Sequence, residues 1–135
     1  MPMRFKTSCT FISADDCRTD LTVNNVSEAQ AAWEDQDWRN EVARAENVTG
    51  QFPCVWFVRS EEPTTALNIS GEDGGRFMLL LQVVVKPGIL GVFGRDAVDL
   101  DIHGASADQV RLFVQQFFNL DKQAVYAWAK SVPKG

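Results

Sequence analysis

The chain has 135 residues, of which 45% are hydrophobic, and a formal net charge of −5 at pH 7. This length predicts a single globular domain over residues 1–135 that can bury a core without metal or disulfide crosslinks. The acidic balance argues against sequence-independent nucleic-acid binding, which needs clustered Lys and Arg, and against docking on anionic lipid.

The cellular compartment is predicted from signals and cysteines. The first residues lack the apolar segment of a secretory signal, and the longest apolar run, over residues 77–81, is far too short to span a bilayer. Cys9, Cys17 and Cys54 are odd in number and include no CxxC pair. We therefore expect reduced thiols in a cytoplasmic protein.

The N-terminal third predicts one strand followed by one helix. Residues 3–12 alternate loosely and indicate a strand at a sheet edge, and the polar residues 15–25 indicate turns. Ser27 and Gln30 have the spacing of a capping box, so we expect a helix to begin there. Its apolar positions recur at helical spacing in a thin stripe, typical of a surface helix: Ala31, Trp38, Val42 and Ala45.

This helix lies in the most acidic part of the chain. Residues 15–46 hold nine of the eighteen acidic side chains against three basic ones, a local charge of −6, so the remaining residues sum to +1. Acidic neighbours on both sides of Trp38 suit an aromatic anchor inside an acidic rim for a basic partner, although a solvated face is the alternative. The predicted contacts are Glu34, Asp35, Asp37, Trp38 and Glu41.

Strand patterns follow one another through the middle of the chain. They cover residues 54–59, 64–69, 76–85, 89–93 and 98–102, and the turn-forming sequences between them include the glycine-rich residues 71–75. The most apolar segment, 76–85, is the predicted central strand. Short turns between consecutive strands indicate an antiparallel meander.

Two helices are predicted at the C-terminal end. Ser106 and Gln109 form a second capping box, and Asp121 is suited to cap a short last helix. The first of these helices has a strongly apolar face, formed by Val110, Leu112, Phe113, Val114, Phe117 and Phe118. The predicted fold class is therefore α+β, an antiparallel β-meander of about five or six strands with an early helix and one or two C-terminal helices packed on it.

Three side chains near the end of the meander have functional alternatives. Asp99, Asp101 and His103 share one face of a strand, where they would suit a divalent cation in a small metal-dependent hydrolase or form a solvated strand face. A Cys/His nucleophile pair would need Cys9 or Cys54 beside His103. We predict no enzyme, no metal and no cofactor, and we place Asp99 and Asp101 among the partner-binding residues.

The order of elements and the stretch VDLDIHGASADQVRLFVQQFFNLDKQAVYAW, at residues 98–128, resemble the Imm1-like immunity proteins of bacterial polymorphic-toxin systems. The resemblance covers roughly residues 54–128. It implies a protein that binds and neutralises a cognate toxin, often a basic nuclease or deaminase, by direct contact. Charge complementarity supports such a partner independently, because it raises the association rate and rejects wrong partners.

A secretion chaperone for an effector protein is the alternative function. Such a chaperone would share the size, acidity and α+β form, and it would dimerise and bind an unfolded segment of its client. The oligomeric state of this chain, monomer or homodimer, is left open.

Overall fold

The structure is a computed structural model that describes residues 6–47, 52–60, 65–86 and 96–133, with the backbone alone for residues 46 and 47. Its described strands form one antiparallel sheet in the order β2-β1-β3-β4-β5-β6. The strands are β1 Thr7–Ile12, β2 Arg18–Leu21, β3 Cys54–Arg59, β4 Thr65–Glu72, β5 Arg76–Lys86 and β6 Asp96–Ala105. The α-helices are α1 Val26–Glu34, α2 Trp38–Asn47, α3 Ala107–Asn119 and α4 Lys122–Ser131. The predicted α+β class and meander are confirmed.

The prediction of one continuous early helix is wrong. Two helices, α1 and α2, are separated at residues 35–37, and α1 is capped by Asn25, whose side chain accepts a hydrogen bond from the Glu28 amide at 2.8 Å. On one continuous helix Trp33 and Trp38 would point about 140° apart. The break lets both rings reach Phe77, with centroid distances of 5.2 and 5.6 Å.

Two strand predictions also need correction. The segment predicted as turns contains β2, which pairs with β1, so β1 is not an edge strand. Three of the four residues of β2 are exposed, and a solvated edge strand needs no apolar alternation. The predicted central strand corresponds to β5, which lies second from the β6 edge, while β3 and β4 are central. The strand predicted over residues 89–93 lies outside the described residues.

The core lies between one face of the sheet and the helices. The strand register places a row of fully buried side chains across this face: Phe57, Leu67, Leu81 and Leu100. Phe117 and Phe118 of α3 contact Phe57 with centroid distances of 6.4 and 5.3 Å. Buried residues of α1, α3 and α4 belong to the same cluster, which confirms that helices pack on one face. We call the face of the sheet that these helices contact the covered face.

A buried arginine connects the covered face to the end of α3. Arg59 is 2% exposed, and its Nη1 donates hydrogen bonds to the carbonyls of Phe117 at 3.1 Å and Leu120 at 2.9 Å. The last carbonyls of a helix lack partners within the helix and carry the negative end of its dipole. Arg59 therefore satisfies these groups and fixes the end of α3 on β3.

Helix α2 approaches β4 at a glycine. A Cβ atom on Gly71 would lie 2.8 Å from Val42 Cγ2 and 3.0 Å from Trp38 Cε3, both on α2. Gly71 was predicted in a hairpin loop, but it belongs to β4. Positive φ angles occur instead at Gly74 and Gly75, in the turn that joins β4 to β5. No helix among the described residues is long and apolar enough to cross a membrane.

Gly71→Ala is expected to lower the free energy of unfolding by about 1–3 kcal/mol, because the added methyl group overpacks the contact with α2. The Val42→Ala change removes one of the two clashing atoms, so in the double variant the combined loss should be smaller than the sum of the single losses. Urea unfolding of the four proteins measures this coupling.

Gly74→Ala is the control for this cycle, because a Cβ there meets nothing within 4 Å and strains only a φ of +73°. Its loss, on the order of 1–2 kcal/mol, should add to that of Val42→Ala without coupling. If the loss from Gly71→Ala also added to that of Val42→Ala without coupling, the packing of α2 would not depend on its close approach to Gly71.

Candidate functional site

The acidic side chain at the end of α1 is engaged in an ion pair. Glu34 Oε1 accepts a hydrogen bond from Arg111 Nε at 2.7 Å, and Arg111 Nη1 also bonds Asp108 at 2.8 Å. The hydrogen bond that Arg111 donates to Glu34 is the main reason that the pKa of Arg111 is raised, so the guanidinium stays charged. One of the carboxylates predicted to contact a basic partner, that of Glu34, is therefore paired with an arginine of the protein itself.

Glu41 also has an internal role. Its Oε2 accepts a hydrogen bond from the Ala14 amide at 2.9 Å, and its Oε1 accepts one from Arg44 at 3.1 Å. Arg44 in turn pairs with Asp15 at 3.2 Å. Because Ala14 and Asp15 lie in the turn between β1 and β2, Glu41 and Arg44 attach that turn to α2.

Trp38 is half-buried and packs into the protein. Its ring makes edge contacts with Phe11 at 5.9 Å and with Phe77 at 5.6 Å, and its Nε1 donates to the Trp33 carbonyl at 2.7 Å. One side of the ring lines a cleft of about 370 Å³ together with Arg39. A role as a binding anchor stays a prediction, but replacement of Trp38 would disturb the fold as well as any surface.

The remaining two residues of the predicted helix surface are accessible. Asp35 is the C-terminal cap of α1, and Asp37 precedes α2; both are exposed. Asp37 Oδ1 accepts a hydrogen bond from the Asn40 amide at 3.4 Å. Of the five helix residues predicted to bind a partner, Asp35 and Asp37 are therefore the two that charge substitutions can test without breaking a described ion pair.

The other side of the sheet, which we call the second face, carries a different set of side chains. No described helix packs on it, since the helix side chains that contact the sheet meet the covered face. The register forms two rows from β3 to β6 across this face: Val58–Ala66–Gln82–Asp99 and Trp56–Asn68–Leu80–Asp101. Each row therefore runs from an apolar side chain on β3 to a carboxylate on β6.

Four apolar side chains of the second face keep part of their surface exposed, whereas Cys54 and Ala66 on the same face are buried. Trp56, Val58, Met78 and Leu80 are half-buried, whereas the row on the covered face is fully buried. On β4, between these apolar side chains, Ser70 Oγ donates a hydrogen bond to Asn68 Oδ1 at 2.8 Å. The second face thus combines accessible apolar area with few unsatisfied polar groups.

The carboxylates of β6 form one border of the second face. Asp99, Asp101 and His103 are exposed and share one side of the strand, as predicted. His103 Nε2 lies 3.5 Å from Asp101 Oδ1, and His103 Nδ1 lies 3.7 Å from Glu72 Oε2. Sequence reasoning did not place Glu72 here, because the convergence of the ends of β4 and β6 depends on their register with β5.

The described residues form neither of the two catalytic arrangements considered from the sequence, a metal site and a Cys/His nucleophile pair. Among the described residues, no group of three or more His, Cys, Asp and Glu side chains stands in a geometry that would hold a metal ion. Cys54 lies on β3, separated from the strand of His103 by two intervening strands, a distance of roughly 14 Å. Cys9 is buried in the core cluster of the covered face. The structure therefore contradicts a Cys/His nucleophile pair that uses His103.

The three cysteines differ in their accessibility. Burial, together with the negative charge of Asp20, raises the pKa of Cys9 to about 12. Burial also raises the pKa of Cys54. Cys17 is exposed, and none of the three forms a disulfide. The folded state therefore favours the neutral thiol of Cys9. The stability that depends on this neutral thiol is present below about pH 9 and is lost as the pH rises from about 9 towards 12.

We expect a thiol reagent such as dithionitrobenzoate to modify Cys17 rapidly in the native protein at pH 8, because Cys9 and Cys54 are buried and protonated. All three cysteines should react once the protein is unfolded in guanidinium. Cys17→Ser should remove the rapid phase. Rapid modification of Cys54 in the native Cys17→Ser variant would show that the second face is more open than the structure indicates.

Comparison of the chain with protein-family profiles, with curated proteins and with solved structures found no match.

Proposed function

We propose that the protein is an immunity protein, a cytoplasmic inhibitor that binds a cognate bacterial toxin with a basic surface and neutralises it by direct contact. The observation that carries this proposal is the second face of the sheet. It presents partly exposed apolar side chains next to a carboxylate border on β6, while the described helices that contact the sheet pack on its other side.

The chemistry of the second face matches that of protein interfaces. Their centres are apolar and aromatic, their rims are polar, and a few large side chains contribute most of the binding energy. Trp56 and Leu80 would form such a centre, and Asp99 and Asp101 would form part of the rim. A nuclease or deaminase that binds nucleic acid carries a basic surface, and an acidic rim would attract it electrostatically.

The exposed ends of α1 and α2 are the second candidate surface. Their carboxylates Asp35 and Asp37 are accessible, but Glu34 and Glu41 are engaged by Arg111 and by the β1–β2 turn. The apolar area of this surface is the cleft beside Trp38, whose ring is packed against Phe11 and Phe77. We infer that the second face makes the principal contact and that the helix surface contributes long-range attraction.

The functional test uses the protein encoded by the gene next to this one. If that protein is a toxin, co-expression of this chain should restore the growth of cells that produce it, and the purified chain should inhibit its activity at a one-to-one ratio. Binding should weaken as the salt concentration rises. No inhibition by the folded chain, or dimerisation with binding only to an unfolded segment of the neighbour, would favour a secretion chaperone instead.

Two charge-reversal variants distinguish the two candidate surfaces. Asp99→Lys with Asp101→Lys changes the second face, and Asp35→Lys with Asp37→Lys changes the helix surface by the same charge. We expect the first pair to raise the Kd for the toxin about 30-fold or more and the second pair to raise it about threefold or less. Calorimetry at 150 mM salt gives both Kd values, and thermal unfolding checks that each variant is folded.

The reverse order of effects would place the interface on the helices and contradict the proposal for the second face. Equal, small effects that disappear at high salt would show that both surfaces act only through long-range attraction.

A further inference from the structure

A small pocket lies at one end of the second face, beside the turn that joins β4 to β5. It has a volume of about 210 Å³ and is lined by Phe52, Ser70, Gly71, Glu72, Asp73, Met78 and His103. Small-molecule sites are usually larger, roughly 300–1,000 Å³, so this pocket suits a single long side chain better than a metabolite.

The pocket has an apolar wall. Phe52 is 60% exposed, more than the other exposed large hydrophobic residue in the described part of the chain, Leu112, at 45%. Met78 is half-buried beside it on the second face. An exposed phenyl ring and a flexible thioether are suited to contact the methylene stem or the planar head of a long side chain.

The pocket also has a carboxylate side. Glu72 Oε1 accepts a hydrogen bond from the Gly104 amide at 2.9 Å, which orients the carboxylate. Glu72 Oε2 lies 3.7 Å from His103 Nδ1, too far for a strong hydrogen bond, so this oxygen retains acceptor capacity. Asp73 adds a second, exposed carboxylate. Glu72 and Asp73 also line the Trp38 cleft, together with Arg76, which lies opposite Glu72 in the register.

We infer that this pocket receives an arginine side chain of the basic partner. The inference rests on the proposed function and names the contact that would give it specificity. The guanidinium would donate to Glu72 Oε2 while its plane lies against the Phe52 ring, a combination that the planar head of arginine makes and the ammonium group of lysine does not. Met78 would contact the methylene stem.

The test uses a small probe and the full chain. N-acetyl-arginine N-methylamide is titrated into isotopically labelled protein, with the citrulline analogue as a neutral probe of the same shape. We expect the arginine probe to bind with a millimolar Kd and to shift the amide signals of Phe52, Gly71, Met78 and His103. The citrulline probe should bind at least about fivefold more weakly.

Two variants complete the experiment. Glu72→Gln keeps an oxygen that can accept from the Gly104 amide, so the fold should persist while the arginine probe loses at least about fivefold in affinity. Asp121→Asn removes one exposed carboxylate at the start of α4, where the Asn oxygen can still cap the helix, and it should leave the affinity unchanged. Equal binding of the arginine and citrulline probes, equal effects of the two variants, or signal changes outside the pocket would overturn the inference.

The probe experiment is independent of the toxin. If the arginine probe fails to bind but the chain inhibits the toxin, the pocket inference falls and the proposed function stands. If the probe binds with the expected selectivity but no toxin is inhibited, the pocket is a cation site and the proposed function falls.

Discussion

The structure depends on the packing of the helices against a single face of the antiparallel sheet. The row of Phe57, Leu67, Leu81 and Leu100 is buried under them, with α3 held at its end by Arg59 and α2 seated on Gly71. Both attachments leave little freedom, because Arg59 is buried between helix carbonyls and Gly71 has no room for a methyl group. With the described helices on this face, Trp56, Val58, Met78 and Leu80 on the other side of the sheet keep part of their surface exposed.

The two faces of the sheet distinguish the acidic residues that are engaged within the protein from those that border exposed apolar surface. Most of the acidic excess lies in residues 15–46, yet Glu34 and Glu41 balance arginines or hold a turn, and Trp38 packs against the core. The carboxylates on β6 and at the end of β4 border apolar surface instead. Charge beside apolar area is the arrangement that gives both attraction and affinity, so the location of the acids matters more than their number.

Local patterns predicted the C-terminal half well. The Ser106 capping box and the buried Phe113 and Phe117 follow directly from spacing along the chain. The break between Trp33 and Trp38 was missed, because the stripe through residues 31–45 continues across it and only the contact with Phe77 requires two helices. The sequence does not show that Glu72 converges with His103, because this depends on how β4 and β6 each align with β5. Leu112, counted in the apolar face of α3, is 45% exposed.

The most direct test of the account is a methyl-labelled nuclear magnetic resonance spectrum of the chain with and without the toxin proposed as its partner. Binding through the second face should shift and broaden the methyl signals of Met78, Leu80 and Val58, which lie on it. The signal of Leu112, exposed on α3, and that of Leu67, buried on the covered face, should stay in place. Changes at Leu112 with unchanged signals from Met78 and Leu80 would contradict the account, because the partner would then bind the helices.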